Sequence, residues 1–161
     1  MADKSGWLSE EDYRKLLEGS MENPIPTADF ILVREGEDGQ DEFMLAKRTE
    51  NPYKGSWFVA GGRIFDGEDV YEALQRNVNR ELGIAITLEM VKLVCTMVVN
   101  NPPKMGIRWK SKWYFYTIRV GRSAEIRLNS ENSRAKWFTR INRRWPKPVR
   151  VALLMAGFDY Q

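Results

Sequence analysis

The fold of this chain is decided by Gly62-Arg63-Ile64-Phe65-Asp66-Gly67-Glu68, which is followed after seven residues by Arg76-Asn77-Val78-Asn79-Arg80-Glu81-Leu82-Gly83-Ile84. Asp66 can cap a helix that Gly83 would close, because aspartate favours the residue before a helix and glycine the residue after it. The apolar face of such a helix would consist of Val70, Ala73, Leu74, Val78 and Leu82. Since residues 57–59 are predicted as a short strand, the sequence indicates a strand, a glycine loop and a helix in succession.

The composition of the chain indicates one globular domain. It has 161 residues, 43% of them hydrophobic and 29% charged, which is enough for a substantial core and leaves no room for a second catalytic domain. No run of about 18 apolar residues is present to span a bilayer, and the N-terminus lacks the basic and then apolar order of a signal peptide. The single Cys95 cannot form an internal disulfide, so a cytoplasmic location is expected.

The positive charges are unevenly distributed, although the net charge is only +3. A predicted loop carries Lys104, Arg108, Lys110 and Lys112, and a C-terminal cluster contains Arg140, Arg143, Arg144, Lys147 and Arg150. Such patches suit phosphate-bearing ligands, or they are solvated surface. The chain has no histidine, so any catalysis must use carboxylates, lysine, tyrosine or metal-bound water.

The remaining segments predict an α+β domain with a helix at each end. Ser9 can cap a short N-terminal helix that ends near Gly19, within an arm of residues 1–22. Apolar or alternating stretches predict strands over 28–33, 42–48, 57–59, 84–88, 91–99, 113–120 and 136–139, with a hairpin between the first two. A final apolar helix is expected over 149–157. Residues 1–161 are therefore predicted to form a single domain.

The middle helix presents one carboxylate toward the glycine loop. Positions 77, 80 and 81 share a face because residues three and four apart are neighbours on a helix, and only Glu81 among them is acidic. Magnesium takes oxygen ligands and keeps several waters, so one carboxylate with backbone carbonyls and phosphate oxygens can hold one ion. Arg80 would repel additional cations or contact a diphosphate. The alternative is that the helix binds no metal and Glu81 only pairs with Arg80 or Arg76.

These residues resemble the Nudix signature, G-x5-E-x7-R-E-U-x-E-E-x-G-U, in which U is a bulky aliphatic residue. The matching positions are Gly62, Glu68, Arg76, Val78, Glu81, Gly83 and Ile84. Glu68 is expected to anchor the loop and the helix through hydrogen bonds to backbone amides rather than to act as a catalyst. Asn77 and Arg80 replace two helix glutamates, and GDP-mannose mannosyl hydrolases, which the chain resembles within this superfamily, lack the same two. The likeness extends to 8–13, 29–31, 45–52 and 55–63, with Ala60 in place of a proline. It implies an α/β/α sandwich with a mixed central sheet and a Nudix box at 61–84.

The resemblance implies a site for a nucleoside-diphosphate sugar. The Gly61 carbonyl and the Glu81 carboxylate would bind one Mg²⁺ per subunit, while Arg48 and Arg63 contact the diphosphate. Asp29 would hold the sugar or orient neighbouring groups, and it joins the two arginines as a candidate catalytic residue. Further substrate contacts are predicted for Arg80, Lys110 and Lys112. The implied reaction is substitution at the anomeric carbon, which releases nucleoside diphosphate and free sugar.

One departure from the family concerns the general base. The family uses a histidine for this role and a neighbouring glutamine for the metal, in a loop before a late strand, whereas this chain has no histidine. The segment 108–113 is taken as the corresponding region. Either another carboxylate serves as the base, or the reaction is slow, or the substrate and the bond cleaved differ.

Two other functions stay open. A Mg²⁺-dependent pyrophosphatase would attack a nucleoside-diphosphate-linked substrate at phosphorus. A catalytically silent domain would bind a nucleotide or RNA through the basic segment and Trp109, Trp113 and Tyr114. Nucleic acid is the less expected partner, because no appended nucleic-acid-binding module is apparent, and no membrane partner is expected. The resemblance also implies a homodimer that forms through the N-terminal helix, and the alternative is that this helix packs on its own subunit.

Overall fold

The structure is a computed structural model that describes residues 8–130 and 132–161. A helix precedes the first strands, a second helix follows a short strand pair, and a third helix ends the described chain. The elements in order are α1 Glu10–Gly19, β1 Ile25–Glu35, β2 Asp41–Arg48, β3 Trp57–Phe58, β4 Ala60–Arg63, α2 Val70–Leu82, a 3-10 helix Leu88–Met90, β5 Val91–Lys104, β6 Ile107–Arg119, β7 Asn132–Phe138 and α3 Lys147–Met155.

The strands form one mixed sheet, as the sequence predicts. Their order is β3-β2-β1-β6-β5, and two further strands are attached, β4 to β1 and β7 to β2. The pairing of β1 with β6 is parallel, whereas the other pairings are antiparallel. The expected hairpin is confirmed, since Val33 pairs with Phe43 across β1 and β2. The fold is therefore an α+β arrangement with a mixed central sheet.

A core lies on each face of the sheet, because successive residues of a strand point to opposite faces. On β1, Phe30 and Leu32 belong to the cluster that contains Leu74 and other residues of α2. Ile31 belongs to the opposite cluster, together with Leu153 of α3. Helices α2 and α3 thus cover opposite faces of the sheet, which confirms the expected sandwich.

Helix α1 packs on its own subunit. The Ser9 hydroxyl accepts a hydrogen bond from the Asp12 amide at 3.2 Å, so the predicted cap is present. Leu17 is fully buried, and the hydroxyl of Ser20 accepts a hydrogen bond from the Lys110 amide of β6 at 3.0 Å. The apolar face of α1 is therefore covered without a second subunit.

Two sequence predictions around α2 are wrong. Asp69, and not Asp66, caps the helix, accepting a hydrogen bond from the Glu72 amide at 2.8 Å. Gly83 ends the helix as predicted, in a left-handed conformation with φ of 69°. The predicted strand at 84–88 is absent, because the chain there pairs with no strand and leads into the 3-10 helix. A short run of apolar residues forms a strand only when the edge of another strand is close enough to pair with it.

The predicted basic loop is mostly strand. Lys104 ends β5, Met105 and Gly106 make the turn with positive φ angles of 52° and 74°, and β6 begins at Ile107. Lys110 lies well inside β6, paired with Asn100. No helix among the described residues is long and apolar enough to cross a membrane.

Candidate active site

A cavity of about 290 Å³ opens at the glycine-containing strand β4 and brings most of the predicted site residues together. The predicted residues that line it are Asp29, Arg48, Gly61, Arg63 and Arg80. They come from β1, β2, β4 and α2, so the sheet pairings and the packing of α2 position them. Lys104 also lines this cavity, so four cationic side chains and one carboxylate meet there, which suits an anionic, oxygen-rich ligand.

Aromatic residues form another part of the cavity wall. Tyr53 stacks on Phe58 with a distance of 4.5 Å between ring centroids, and Trp109 donates its indole N–H to the Pro102 carbonyl at 2.8 Å. Trp113 completes this wall and is almost fully buried. Such rings can accommodate a nucleobase or a sugar face.

Lys110 and Lys112, which were predicted to bind substrate, do not line this cavity. Trp109, Ser111 and Trp113 line it, and alternate residues of a strand point to opposite faces. The two lysines therefore point away from the cavity, and Lys112 lies 5.3 Å from the ring centroid of Tyr114. The sequence prediction failed because it placed the segment in a loop.

Asp29 is held at the strand junction by close backbone packing. It pairs with Gly61 across β1 and β4, and a side chain on Gly61 would collide with Asp29 and would lie 2.8 Å from the Ala28 carbonyl oxygen. Only 7% of Asp29 is exposed, and the Thr27 hydroxyl donates a hydrogen bond to its carboxylate. Burial raises the pKa of Asp29 to about 7, and the nearby negative charge of Glu81 adds to the increase. The Thr27 hydrogen bond and the charge of Arg48 oppose it.

Glu68 anchors the loop that precedes α2, as the sequence predicts. One carboxylate oxygen accepts a hydrogen bond from the Phe65 amide at 2.7 Å, and both oxygens accept bonds from Arg76 at 2.8 Å. Arg76 also donates to the Arg63 carbonyl at 2.7 Å and lies 3.6 Å from the centroid of the Phe65 ring. These contacts fix the loop next to Arg63.

Asn77 connects α2 to the sheet. It is fully buried, and its amide nitrogen donates hydrogen bonds to the Ala28 carbonyl at 3.2 Å and to the Gly62 carbonyl at 2.9 Å. Its oxygen accepts a bond from Arg76 at 3.2 Å. Asn77 replaces the first helix glutamate of the signature. Because a glutamate has no amide donor, Asn77 makes two hydrogen bonds that a carboxylate cannot make.

Arg80 lies between the two groups that are predicted to bind metal. Its Nη2 donates to the Gly61 carbonyl at 3.3 Å and to Glu81 Oε1 at 3.1 Å. Glu81 is 2% exposed, and its Oε2 accepts a hydrogen bond from the Asn132 side chain at 3.1 Å. Glu81 therefore pairs with Arg80, as the alternative expected. Two oxygens that converge on one positive charge could also accept a metal cation.

The remaining arginines are positioned by the neighbouring loops. Arg48 donates its Nε–H to the Pro52 carbonyl at 2.7 Å, which holds the guanidinium beside the loop that follows β2. Arg63 lies 4.7 Å from the centroid of the Phe65 ring, and burial lowers the pKa of Arg63 from its ordinary value. Among the described residues, no three acidic or cysteine side chains are grouped to hold a metal. Any ion would therefore depend on backbone, substrate or water oxygens as well.

The segment next to Glu81 is not the one that the sequence suggested. The residues 108–113 lie within β6, which pairs in parallel with the central strand β1. Instead, the chain just before and at the start of β7 approaches α2, with the Asn129 amide donating to the Glu81 carbonyl at 3.3 Å and Asn132 contacting the Glu81 carboxylate. The sequence signal for this approach was the pair Asn129 and Asn132 at the start of a strand. It is a weak signal, because asparagine is common in turns.

Comparisons with known proteins agree with this architecture. The family model described as the NUDIX domain matches residues 24–146. The human protein named 8-oxo-dGDP phosphatase NUDT18 is 42% identical over 112 residues, which cover 70% of this chain and 32% of that protein. The low-salt glycan biosynthesis protein Agl8 of Haloferax volcanii is 35% identical over 66 residues, covering 41% of this chain and 39% of that protein. The chain thus spans well under half the length of these two relatives.

A solved structure has the same fold. The MutT NUDIX hydrolase from Burkholderia pseudomallei superposes with a TM-score of 0.66 at 24% sequence identity, covering 84% of this chain and 99% of that one. At this identity the likeness concerns the fold alone.

Proposed function

The chain belongs to the NUDIX domain family, and from this premise we propose that it is a hydrolase of a nucleoside-diphosphate sugar. The proposed reaction is substitution at the anomeric carbon, which releases nucleoside diphosphate and free sugar. One observation carries the proposal: of positions 77, 80 and 81 on α2 only Glu81 is acidic, while Arg48, Arg63 and Arg80 line the cavity. This arrangement suits stabilisation of a departing diphosphate better than assembly of several metal ions around a phosphorus atom.

The arginines stabilise the leaving group. When the bond from the anomeric carbon to oxygen breaks, its electron pair stays with the diphosphate oxygen, so negative charge increases there. Arg48 and Arg63 both line the cavity, and guanidinium groups bind phosphate oxygens through paired N–H donors. Fixed positive groups at the developing charge lower the barrier because they need no reorganisation during the reaction.

The Gly61 carbonyl and the Glu81 carboxylate are the proposed ligands of one divalent ion, for which we propose Mg²⁺. NUDIX hydrolases generally use divalent metal ions, and the convergence of these two oxygens on the Arg80 cation supports the assignment. A bound ion would offset part of the diphosphate charge. Asn132 holds one oxygen of Glu81 in place, and the other oxygen, which accepts a hydrogen bond from Arg80, would be the one to hold the ion.

Asp29 is the proposed acceptor of the water proton. It is the one acidic residue among the described residues that line the cavity, and the chain has no histidine. Water would attack the anomeric carbon, its oxygen would bond to that carbon, and its proton would pass to the Asp29 carboxylate as the diphosphate departs. Thr27 orients the carboxylate through its hydrogen bond.

A second candidate is hydrolysis at phosphorus. The human relative is named as an 8-oxo-dGDP phosphatase, which favours a nucleoside-diphosphate substrate without a sugar leaving group. The archaeal relative is named as a glycan biosynthesis protein, which favours a sugar-bearing one. Both candidates require a cavity that binds a nucleoside diphosphate. They differ in the atom that water attacks, which is the anomeric carbon in the first and phosphorus in the second.

Product analysis in ¹⁸O-labelled water distinguishes the candidates. The full chain is incubated with Mg²⁺ and GDP-mannose, GDP-glucose, UDP-glucose or 8-oxo-dGDP. Label in the free sugar, with unlabelled nucleoside diphosphate, supports attack at carbon, whereas label in a phosphate product supports the second candidate. The Asp29→Asn variant, purified in parallel, is the control for contaminating hydrolases. Retained nucleotide binding without turnover of any substrate would overturn both candidates in favour of a silent binding domain.

A further inference from the structure

We propose that Arg80 is an internal cation that occupies the metal position until a diphosphate draws it away, so that metal and nucleoside diphosphate bind cooperatively. The inference rests on the proposed function only for the class of ligand, a nucleoside diphosphate. Arg80 would then control metal binding, a role that its position in the helix alone does not indicate.

The position of Arg80 excludes a metal ion at the same oxygens. A single nitrogen, Nη2, bonds both the Gly61 carbonyl and Glu81 Oε1, at 3.3 Å and 3.1 Å. A Mg²⁺ ion would approach each oxygen to about 2.1 Å and would therefore occupy the space beside that nitrogen. The guanidinium would also repel the ion. The metal can bind these two oxygens only after the Arg80 side chain has moved.

The local structure makes room for Arg80 in the inward position. Gly62 has no side chain, and a methyl group there would lie 2.6 Å from Arg80 Nη2. The inward position is nevertheless incompletely satisfied, because Arg80 Nε is buried and has no hydrogen-bond partner among the described residues. A buried donor without a partner is unfavourable. A second position of the side chain, in which phosphate oxygens accept hydrogen bonds from the guanidinium, would remove the cost of this unpaired donor.

Arg80 has such a second position within reach. Its side chain is 27% exposed and lines the cavity that contains Arg48 and Arg63. It also borders an adjoining cavity of about 480 Å³, which Tyr13 and Arg63 share. When Arg80 turns toward a diphosphate, Glu81 keeps the Asn132 hydrogen bond and so is not left without a partner. Release of Arg80 thus uncovers the Gly61 and Glu81 oxygens.

The two binding events are then linked. A nucleoside diphosphate that removes Arg80 raises the affinity for the metal, and by thermodynamic reciprocity the metal raises the affinity for the nucleotide by the same factor. A metal that simply bridged the protein and the phosphate would also couple metal binding to nucleotide binding, but that coupling would not depend on Arg80. Replacement of Arg80 by an uncharged residue separates the two explanations.

The test measures Mn²⁺ binding to the full chain by titration calorimetry and electron paramagnetic resonance, with and without saturating GDP. For Arg80→Met without nucleotide we expect Mn²⁺ to bind at least about tenfold more tightly than to the wild type, a shift of about 1.4 kcal/mol. The gain in Mn²⁺ affinity on adding GDP should be smaller in this variant than in the wild type. Arg119→Met, which removes an exposed arginine paired with Asp41, is the control and should match the wild type.

Equal or weaker Mn²⁺ binding by Arg80→Met overturns the proposal, as does an undiminished GDP effect. Arg80→Gln is measured in parallel, with thermal unfolding of both variants, so that a folding defect in one does not decide the result. Tighter Mn²⁺ binding by both variants, in a chain that hydrolyses no nucleotide sugar, would support the Arg80 inference while the proposed reaction fails. Hydrolysis of a nucleotide sugar by the wild type, with an Mn²⁺ affinity that neither Arg80 variant changes, would support the proposed reaction while the Arg80 inference fails.

Discussion

Asn77 stabilises the site through both hydrogens of one side-chain amide. The bonds to the Ala28 and Gly62 carbonyls join α2 to two paired strands, at the point where the cavity begins. Because Asn77 is fully buried, no water can replace either donor. The same position carries a glutamate in the family signature, so the change exchanges a possible metal ligand for a fixed structural contact.

The first prediction concerns the variant Asn77→Asp. The carboxylate would face two carbonyl oxygens without a donor for either, although the hydrogen bond from Arg76 would offset part of its charge. We expect the free energy of unfolding to fall by at least about 2 kcal/mol. Urea denaturation at pH 7 measures the difference. The control Asn79→Asp changes an exposed residue of the same helix, and a similar loss in both variants would contradict the explanation.

The second prediction tests Asp29 in the proposed reaction. Asp29→Asn keeps the size of the side chain but removes the proton acceptor, so kcat should fall by about 10²- to 10⁴-fold. GDP binding, measured by calorimetry, should be retained because the arginines are unchanged. Asp38→Asn, in an exposed turn between β1 and β2, is the control and should keep full activity. An unchanged kcat in Asp29→Asn would remove the proposed role.

The sequence predicts individual residues well where they use local contacts. Glu68 was expected to bond backbone amides, and it bonds the Phe65 amide three residues away. The contacts of Asn77 with β1 and of Asn132 with Glu81 join residues 49 and 51 positions apart, and no local pattern indicates them. The position of Arg80 beside Glu81 was predicted in part, because the pairing of these two residues was one of the two alternatives.

At the level of elements, the boundaries depended on contacts that the local sequence does not contain. Asp66 and Asp69 are both competent caps, and Glu68 decides between them by fixing the loop in which Asp66 lies. The β5–β6 hairpin is longer than predicted, because the parallel pairing of β6 with β1 extends from Ser111 to Arg119 and continues the strand through a basic segment. Charged residues were taken as loop, although a strand at a sheet surface tolerates them on its exposed face.

The third prediction concerns the ion pair that joins the loop before α2 to the helix. The hydrogen bonds from Arg76 lower the pKa of Glu68, so the stabilisation is fully present above the ordinary glutamate pKa. It is lost as the pH falls through that value and then through the lowered pKa of the folded state. At pH 7, Glu68→Gln should reduce the free energy of unfolding by about 1 to 3 kcal/mol.

Urea denaturation between pH 7 and pH 3.5 measures this prediction. The difference between the wild type and Glu68→Gln should shrink as the pH falls below about 4.5. Glu72→Gln, an exposed change in the first turn of α2, is the control and should show a small difference throughout. A difference for Glu68→Gln that stays constant with pH would contradict the ion-pair explanation.

At the scale of the whole molecule, the mixed sheet and its two helical layers were expected from the family resemblance that the motif around Gly62 carries. The strand, glycine loop and helix around Gly62 place α2 against β1, and the alternation of β1 then assigns one face to α2 and the other to α3. The parallel contact between β1 and β6 could not be derived from pattern alone, since it joins segments more than 80 residues apart. That contact determines which residues of β6 reach the cavity.

The predicted homodimer now has a more specific form. Since Leu17 of α1 is fully buried in its own subunit, a dimer through α1 must use the residues of this segment that stay exposed. Leu8 and Met21, which are 41% and 42% exposed, are the large apolar residues at its two ends. Exposed apolar side chains of this kind suit a subunit contact. The expectation of a dimer itself rests on the family resemblance.

The fourth prediction is therefore that Met21→Glu weakens self-association without weakening the fold. A glutamate at a subunit contact must lose its hydration, whereas at a free surface it costs little. Analytical ultracentrifugation of the full chain over a range of micromolar concentrations should show a dimer for the wild type and a shift toward monomer for the variant, with equal free energies of unfolding of the monomers. Met155→Glu, which changes a 60% exposed methionine on α3, should leave the dimer intact. A wild-type chain that sediments as a monomer at every concentration would show that α1 serves its own subunit alone.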